Sequence, residues 1–94
     1  MRVHFFSSFD RSYKRSRPLE RGKIEAAVRM LLEYIERRPS TPPKGLGLKK
    51  LRGSVWEMRI DLQLRLVFTM EQDLLSFVLV GNHDDVRRWL RKPS

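Results

Sequence analysis

The sequence contains no cysteine, so it can form no disulfide framework and offers no thiolate for metal binding or nucleophilic attack. Its two histidines, His4 and His83, stand far apart. With no cysteine beside them they give no metal-ligand spacing, and neither a metal nor another cofactor is expected. No apolar run approaches the ~20 residues needed to span a bilayer. Nor does the start read as a signal peptide, because Asp10, Arg11 and Lys14 follow MRVHFF too closely. Internal repeats and low-complexity tracts are absent. Together these absences favour a cytoplasmic protein with no membrane partner.

Negative charge is also scarce. Eleven Asp and Glu face twenty Lys and Arg, leaving a net charge of +9. Such an excess creates a long-range field that draws in nucleic acid, acidic proteins or anionic membrane. Membrane fits least, since the basic residues accompany a sheet pattern rather than one amphipathic surface helix. What is present is otherwise ordinary for a folded chain: 94 residues, 40% hydrophobic and 33% charged. That length suits one domain, residues 1–94, with one modest core.

Two periodicities divide the chain. In RVHFF, Val3 and Phe5 alternate with His4, which suits a short first strand. Ser7 or Ser8 can cap a helix that follows, with Phe9 and Tyr13 one turn apart on a common face. Pro18 disfavours helical geometry at Arg17 and should end it. From Leu19 to Arg37 the apolar residues Ile24, Ala27, Val28, Leu31 and Ile35 recur at helical spacing, so this helix should lay one face on a sheet. Pro39, Pro42, Pro43, Gly45 and Gly47 predict an irregular crossover.

Beyond it the period becomes two. In VWEMRIDL, Trp56, Met58, Ile60 and Leu62 alternate with Glu57, Arg59 and Asp61. In LRLVFTM, Leu64, Leu66, Phe68 and Met70 share a face, with Arg65 and Thr69 opposite. LLSFVLVG is nearly all apolar, as expected of a strand covered on both sides. Tight turns at 61–63 and 71–73 would join these runs as antiparallel hairpins. Gly81 and Asn82 end the last strand, and a short helix should follow, apolar along Val86, Trp89 and Leu90. The expected class is α+β: an N-terminal strand and a two-helix hairpin packed on a small antiparallel sheet, with a short C-terminal helix. The sheet would consist of a three-stranded C-terminal meander plus the first strand. Glu57, Arg59 and Arg65 would then project from an open sheet face, with His83 at its rim.

The succession KKLRG, VWEMRI, LRLVF and VGNHDDVRRWL resembles the RelE/ParE superfamily of toxin–antitoxin toxins, over essentially the whole chain. GNHDD after an apolar strand is the most specific piece. The resemblance implies a compact toxin neutralised by a cognate antitoxin, whose acidic or amphipathic segment should cover the basic sheet face or the second helix. It also admits a homodimer or a toxin–antitoxin hetero-oligomer. In the RelE-like branch the toxin enters the ribosome and cleaves mRNA; in the ParE-like branch it inhibits DNA gyrase. Lys49, Lys50 and Arg52 match the basic segment that RelE-like toxins place against RNA, and Arg59 and Arg65 match positions around the scissile phosphate. His83 matches the histidine of YoeB-like and YafQ-like ribonucleases. Trp89 stands about where RelE-like sequences carry a tyrosine or other aromatic. Tryptophan cannot donate a phenolic proton, so that role is vacant or passes to His83.

Metal-free RNA cleavage needs a base near the 2′-OH, an acid near the leaving 5′-oxygen, and cations around the phosphoryl oxygens. His83 can serve as base or acid, because imidazole titrates near neutral pH. Glu57 is a second candidate, and Arg59 and Arg65 supply guanidinium charge. Arg87, Arg88 and Arg91 extend the basic surface and are further candidates for RNA contact. Plainer readings stand beside these. Glu57, Arg59 and Asp61 could form cross-strand salt bridges, Arg87 to Lys92 a solvated helix side, Trp56 and Trp89 core, and His83 a helix cap. The leading expectation is a ribosome-dependent mRNA endoribonuclease. A gyrase inhibitor acting by binding, or a non-catalytic basic nucleic-acid-binding relative, are the alternatives.

Overall fold

The computed structural model describes residues 2–37 and 47–92. The elements in order are β1 (Arg2–Phe5), α1 (Ser7–Arg15), α2 (Pro18–Arg37), β2 (Leu48–Arg52), β3 (Val55–Arg59), β4 (Arg65–Glu71), β5 (Leu74–Gly81) and α3 (His83–Arg91). They form one sheet in the order β1-β5-β4-β3-β2, so the expected α+β class holds. The sheet is mixed rather than wholly antiparallel, because β1 lies parallel to β5. The helical hairpin makes that possible, since parallel neighbours need a long connection. The meander also has one more strand than the sequence suggested. Leu48–Arg52 pairs with β3 at the sheet edge, and its alternation is masked by Lys49, Lys50 and a register shift before Arg52.

The periodic segments fold as their patterns dictate. Along α2, Ile24, Ala27, Leu31 and Ile35 are buried and Val28 is half-buried. Pro18 is its first residue, where the missing N–H leaves no helical hydrogen bond unmade. The stripe packs with Phe9 of α1 on Met58, Leu66, Phe68, Leu75 and Phe77. Burying each such side chain contributes about 1.5–3 kcal/mol, so this layer supplies most of the driving force. Proline and glycine of the expected crossover lie outside the described residues, apart from Gly47.

Three local expectations are corrected. Strand β3 ends at Arg59, and Leu62 is 77% exposed in the following turn rather than in the core. That turn is held by Asp61, whose Oδ1 accepts from the Gln63 and Leu64 N–H groups at 2.8 Å each. Neither Ser7 nor Ser8 caps α1; its N-cap is Phe6, with no side-chain cap. Ser8 is used elsewhere. Strand β1 pairs only with residues 74–77, leaving the rest of the β5 edge open. Helix α1 runs along this remainder: Ser8 Oγ donates to the Val78 carbonyl, and Ser12 Oγ accepts from the Val80 N–H at 3.1 Å. Two hydroxyls thus replace a missing strand. The third correction concerns the other sheet face, which is not open. Val86, Trp89 and Leu90 of α3 pack there with Val55, Val67, Val78 and Leu79.

Candidate functional site

Strand register assembles a charged row beside α3. Arg59 pairs with Arg65 across β3 and β4, and Arg65 pairs with Gly81 of β5. One step along, Lys49 pairs with Glu57, and Glu57 with Val67. Directly paired residues and residues two apart share a sheet face, so Lys49, Glu57, Arg59 and Arg65 lie on one side. Two arginines placed directly opposite repel each other. Glu57 offsets this: its Oε1 lies 3.7 Å from Arg65 Nε, with the two side chains only 11% and 14% exposed. Arg65 Nε is buried and makes no hydrogen bond. The Glu57 carboxylate at 3.7 Å neutralises this guanidinium without closing a hydrogen bond to Nε. Arg59, by contrast, is exposed.

His83 follows closely in the chain after the row's last strand position. Two residues after Gly81, it is the first residue of α3 and is exposed. A reciprocal cap fixes this position: Asn82 Oδ1 accepts from the Asp85 N–H at 2.8 Å, and Asp85 Oδ2 accepts from the Asn82 N–H at 2.9 Å. Gly81 is what lets Asp85 fold back, since a Cβ there would lie 2.6 Å from Asp85 Oδ2. Gly47 has a similar role at the other end. It takes φ +67°, its carbonyl accepts from the Arg59 N–H at 3.1 Å, and a Cβ would meet Arg59 Cβ at 3.1 Å. Both glycines are visible in the sequence, but their partners are not, because the contacts are set by register and by the cap.

Neither a family model nor a curated protein matches the sequence. Solved structures do match in shape. YafQ from E. coli strain BL21(DE3) superposes with a TM-score of 0.68 at 14% identity, covering 92% of this chain and 98% of its own. RelE in the RelB–RelE antitoxin–toxin complex from Methanococcus jannaschii gives 0.69 at 17% identity, covering 93% and 98%. YoeB from Staphylococcus aureus, described as a dimer, gives 0.66 at 22% identity, covering 88% and 97%. The fold is that of the YafQ, RelE and YoeB toxins. At these identities the likeness is one of architecture.

On this fold the remaining expected site residues are spread over several surfaces. Lys50 pairs with Trp56 and therefore faces away from Lys49. Arg52 donates through Nη2 to the Leu90 carbonyl at 2.9 Å, which ties the last turn of α3 to β2. Arg88 lies 3.3 Å from Asp85 Oδ1, while Arg87 and Arg91 are exposed. Trp89 is half-buried beneath α3 against the second core cluster. Only Glu57, Arg59, Arg65 and Lys49 are brought together by the strands; His83 follows Gly81 by two residues, at the start of α3. Among the described residues no three His, Cys, Asp or Glu side chains gather as a metal-binding set. No described helix is long and apolar enough to cross a membrane.

Proposed function

We propose that this chain is the toxin of a type II toxin–antitoxin pair and that it cleaves mRNA on the ribosome. The observation that carries the reading is the row Arg59–Arg65–Gly81, continued by His83 at the start of α3. Arg59 and Arg65 would hold the scissile phosphate, Arg59 from an exposed position and Arg65 from a nearly buried one. The RNA 2′-oxygen attacks phosphorus while the bond to the 5′-oxygen breaks, giving a 2′,3′-cyclic phosphate and a free 5′-hydroxyl. One group takes the proton from the 2′-OH and another gives a proton to the leaving oxygen. His83 serves in one of these roles. Glu57, on the same face and next to Arg65, is the candidate for the other. Charge that builds on the phosphoryl oxygens is met by the two guanidinium groups. DNA lacks the 2′-OH and would be spared. A cognate antitoxin of acidic or amphipathic character would neutralise the toxin, as RelB and DinJ stand in complexes with RelE and YafQ.

The test is to add the purified chain to a translation extract and map mRNA ends by primer extension. Defined cuts within translated codons, lost or slowed ~10²–10⁴-fold by His83→Ala, support the proposal. Intact mRNA together with blocked supercoiling by gyrase would assign the chain to the binding reading instead.

A further inference from the structure

A groove of about 570 Å³ lies between α1, α3 and the turn that precedes β4, and it includes none of Glu57, Arg59, Arg65 or His83. Helix α1 and its link to α2 contribute Arg11, Arg15 and Arg17; α3 and its C-cap contribute Arg88 and Lys92. Against these five cations stand two carboxylates, Glu20 and Asp85. Both carboxylates are already committed: Glu20 accepts from the Arg17 N–H at 3.1 Å and pairs with its guanidinium, and Asp85 serves the α3 cap and Arg88. Arg11, Arg15 and Lys92 make no ion pair among the described residues. Arg11 and Arg15 are one turn apart and exposed, a like-charge arrangement that works mildly against helix α1. The last turn of α1 favours Arg15 through the helix dipole, but among the described residues no carboxylate pairs with Arg11, Arg15 or Lys92.

The lining also indicates which polyanion fits. Of its apolar members, Leu64, Leu79 and Val80 are 5%, 8% and 4% exposed and Trp89 is half-buried, so cations and not apolar area dominate the accessible lining. Four of the five cations are arginines, whose planar forks match phosphate oxygens in pairs. The groove reaches Gly81 and Asn82, just before His83, and Gln63 and Leu64, just before Arg65. We infer that the α1–α3 groove is a second polyanion track, which holds the sugar-phosphate backbone of single-stranded RNA beyond the reacting phosphate. The inference rests on the RNA reading for the identity of its ligand, and it adds an extended binding subsite outside the charged row.

Binding of a fluorescent 2′-O-methyl oligonucleotide of nine residues, which cannot be cleaved, separates this inference from the nuclease proposal. Anisotropy titrations of the full chain at several salt concentrations are compared with Arg11→Gln/Arg15→Gln and, on the opposite wall, Arg88→Gln/Lys92→Gln. Thermal melts show which variants are folded. The inference predicts at least a tenfold loss of affinity for each pair. It also predicts a salt dependence shallower by about 1.4 in log–log slope, ~0.7 for each single-strand phosphate that the variant no longer neutralises. Unchanged affinity and slope in a folded variant of either wall overturn it. So does a loss of binding to a glutamate-rich peptide with the oligonucleotide unaffected, which would make the groove a seat for an acidic protein.

Discussion

The two faces of the β3–β4 hairpin are built from alternate residues of the same strands, yet they follow different rules. One face is apolar throughout: Met58, Leu66 and Phe68 meet the stripe of α2 and are at most 3% exposed. The other carries Glu57, Arg59 and Arg65 at one end and Val55 and Val67 under α3 at the other. The first face is organised by area removed from water, which is indifferent to direction. The second holds the nearly buried pair Glu57–Arg65, in which each charge is tolerable only while the other stays in place. An apolar layer thus supports a charged one, a division expected where a fold carries a site.

Substitutions on each face should expose that difference. Leu66→Ala on the apolar face should cost about 2–5 kcal/mol in urea unfolding, because it opens a cavity among residues with no room to collapse. A loss below about 1 kcal/mol would mean that this layer is looser than its burial indicates. Arg65→Met on the charged face leaves the Glu57 carboxylate nearly buried without a partner, and should cost about 1–3 kcal/mol. Most of that loss should return in Arg65→Met/Glu57→Gln, since removing both charges is far less costly than removing one. Equal losses in the single and double variants would show that the ion pair does not govern this face.

Smaller effects probe the ends of the charged row. Gly81→Ala forces a Cβ into Asp85 and breaks the reciprocal cap, at an expected cost of about 1–2 kcal/mol. The same change in an Asp85→Ala background should cost less, and a double-mutant cycle checks it. The smallest effect concerns Asp61, whose carboxyl is held below its ordinary value of 3.8 by the Gln63 N–H, Lys23 and the Leu64 N–H. A depressed pKa means that the carboxylate's contribution is complete above 3.8 and fades as pH falls through the lower folded-state value. Asp61→Ala should therefore melt below wild type at neutral pH, with the two curves converging in acid. A gap that is constant with pH would remove the carboxylate from the account.

Much of this was legible in the chain itself, and the gaps have physical causes. Helix α2, strand β4 and α3 each repeat one period long enough to be read, enforced by burial of one stripe, whereas β5 is legible as a continuous apolar run because both its faces are covered. The presence of Glu57, Arg59 and Arg65 on one face follows from alternation alone. Strand β2 was hidden because an edge strand needs no apolar face, and LKKLR is exposed at Lys49, Lys50 and Arg52. Leu62 was misplaced because Asp61 folds the chain into a turn before the alternation runs out. Nothing local announces that Ser8 and Ser12 finish the edge of β5, which lies some seventy residues away in sequence. The same holds for the cover that α3 lays over the charged face. Both depend on which elements meet, and periodicity is silent on that.

The central claim is that His83 and Arg65 act on one phosphate. A double-mutant cycle on mRNA cleavage in a translation extract tests it most directly, using His83→Ala, Arg65→Ala and the pair, each shown to be folded. Groups that act as a unit are strongly non-additive, so the double variant should be no more than a few-fold slower than the slower single variant. Rate losses that simply multiply would place the two side chains at independent spots and contradict the account.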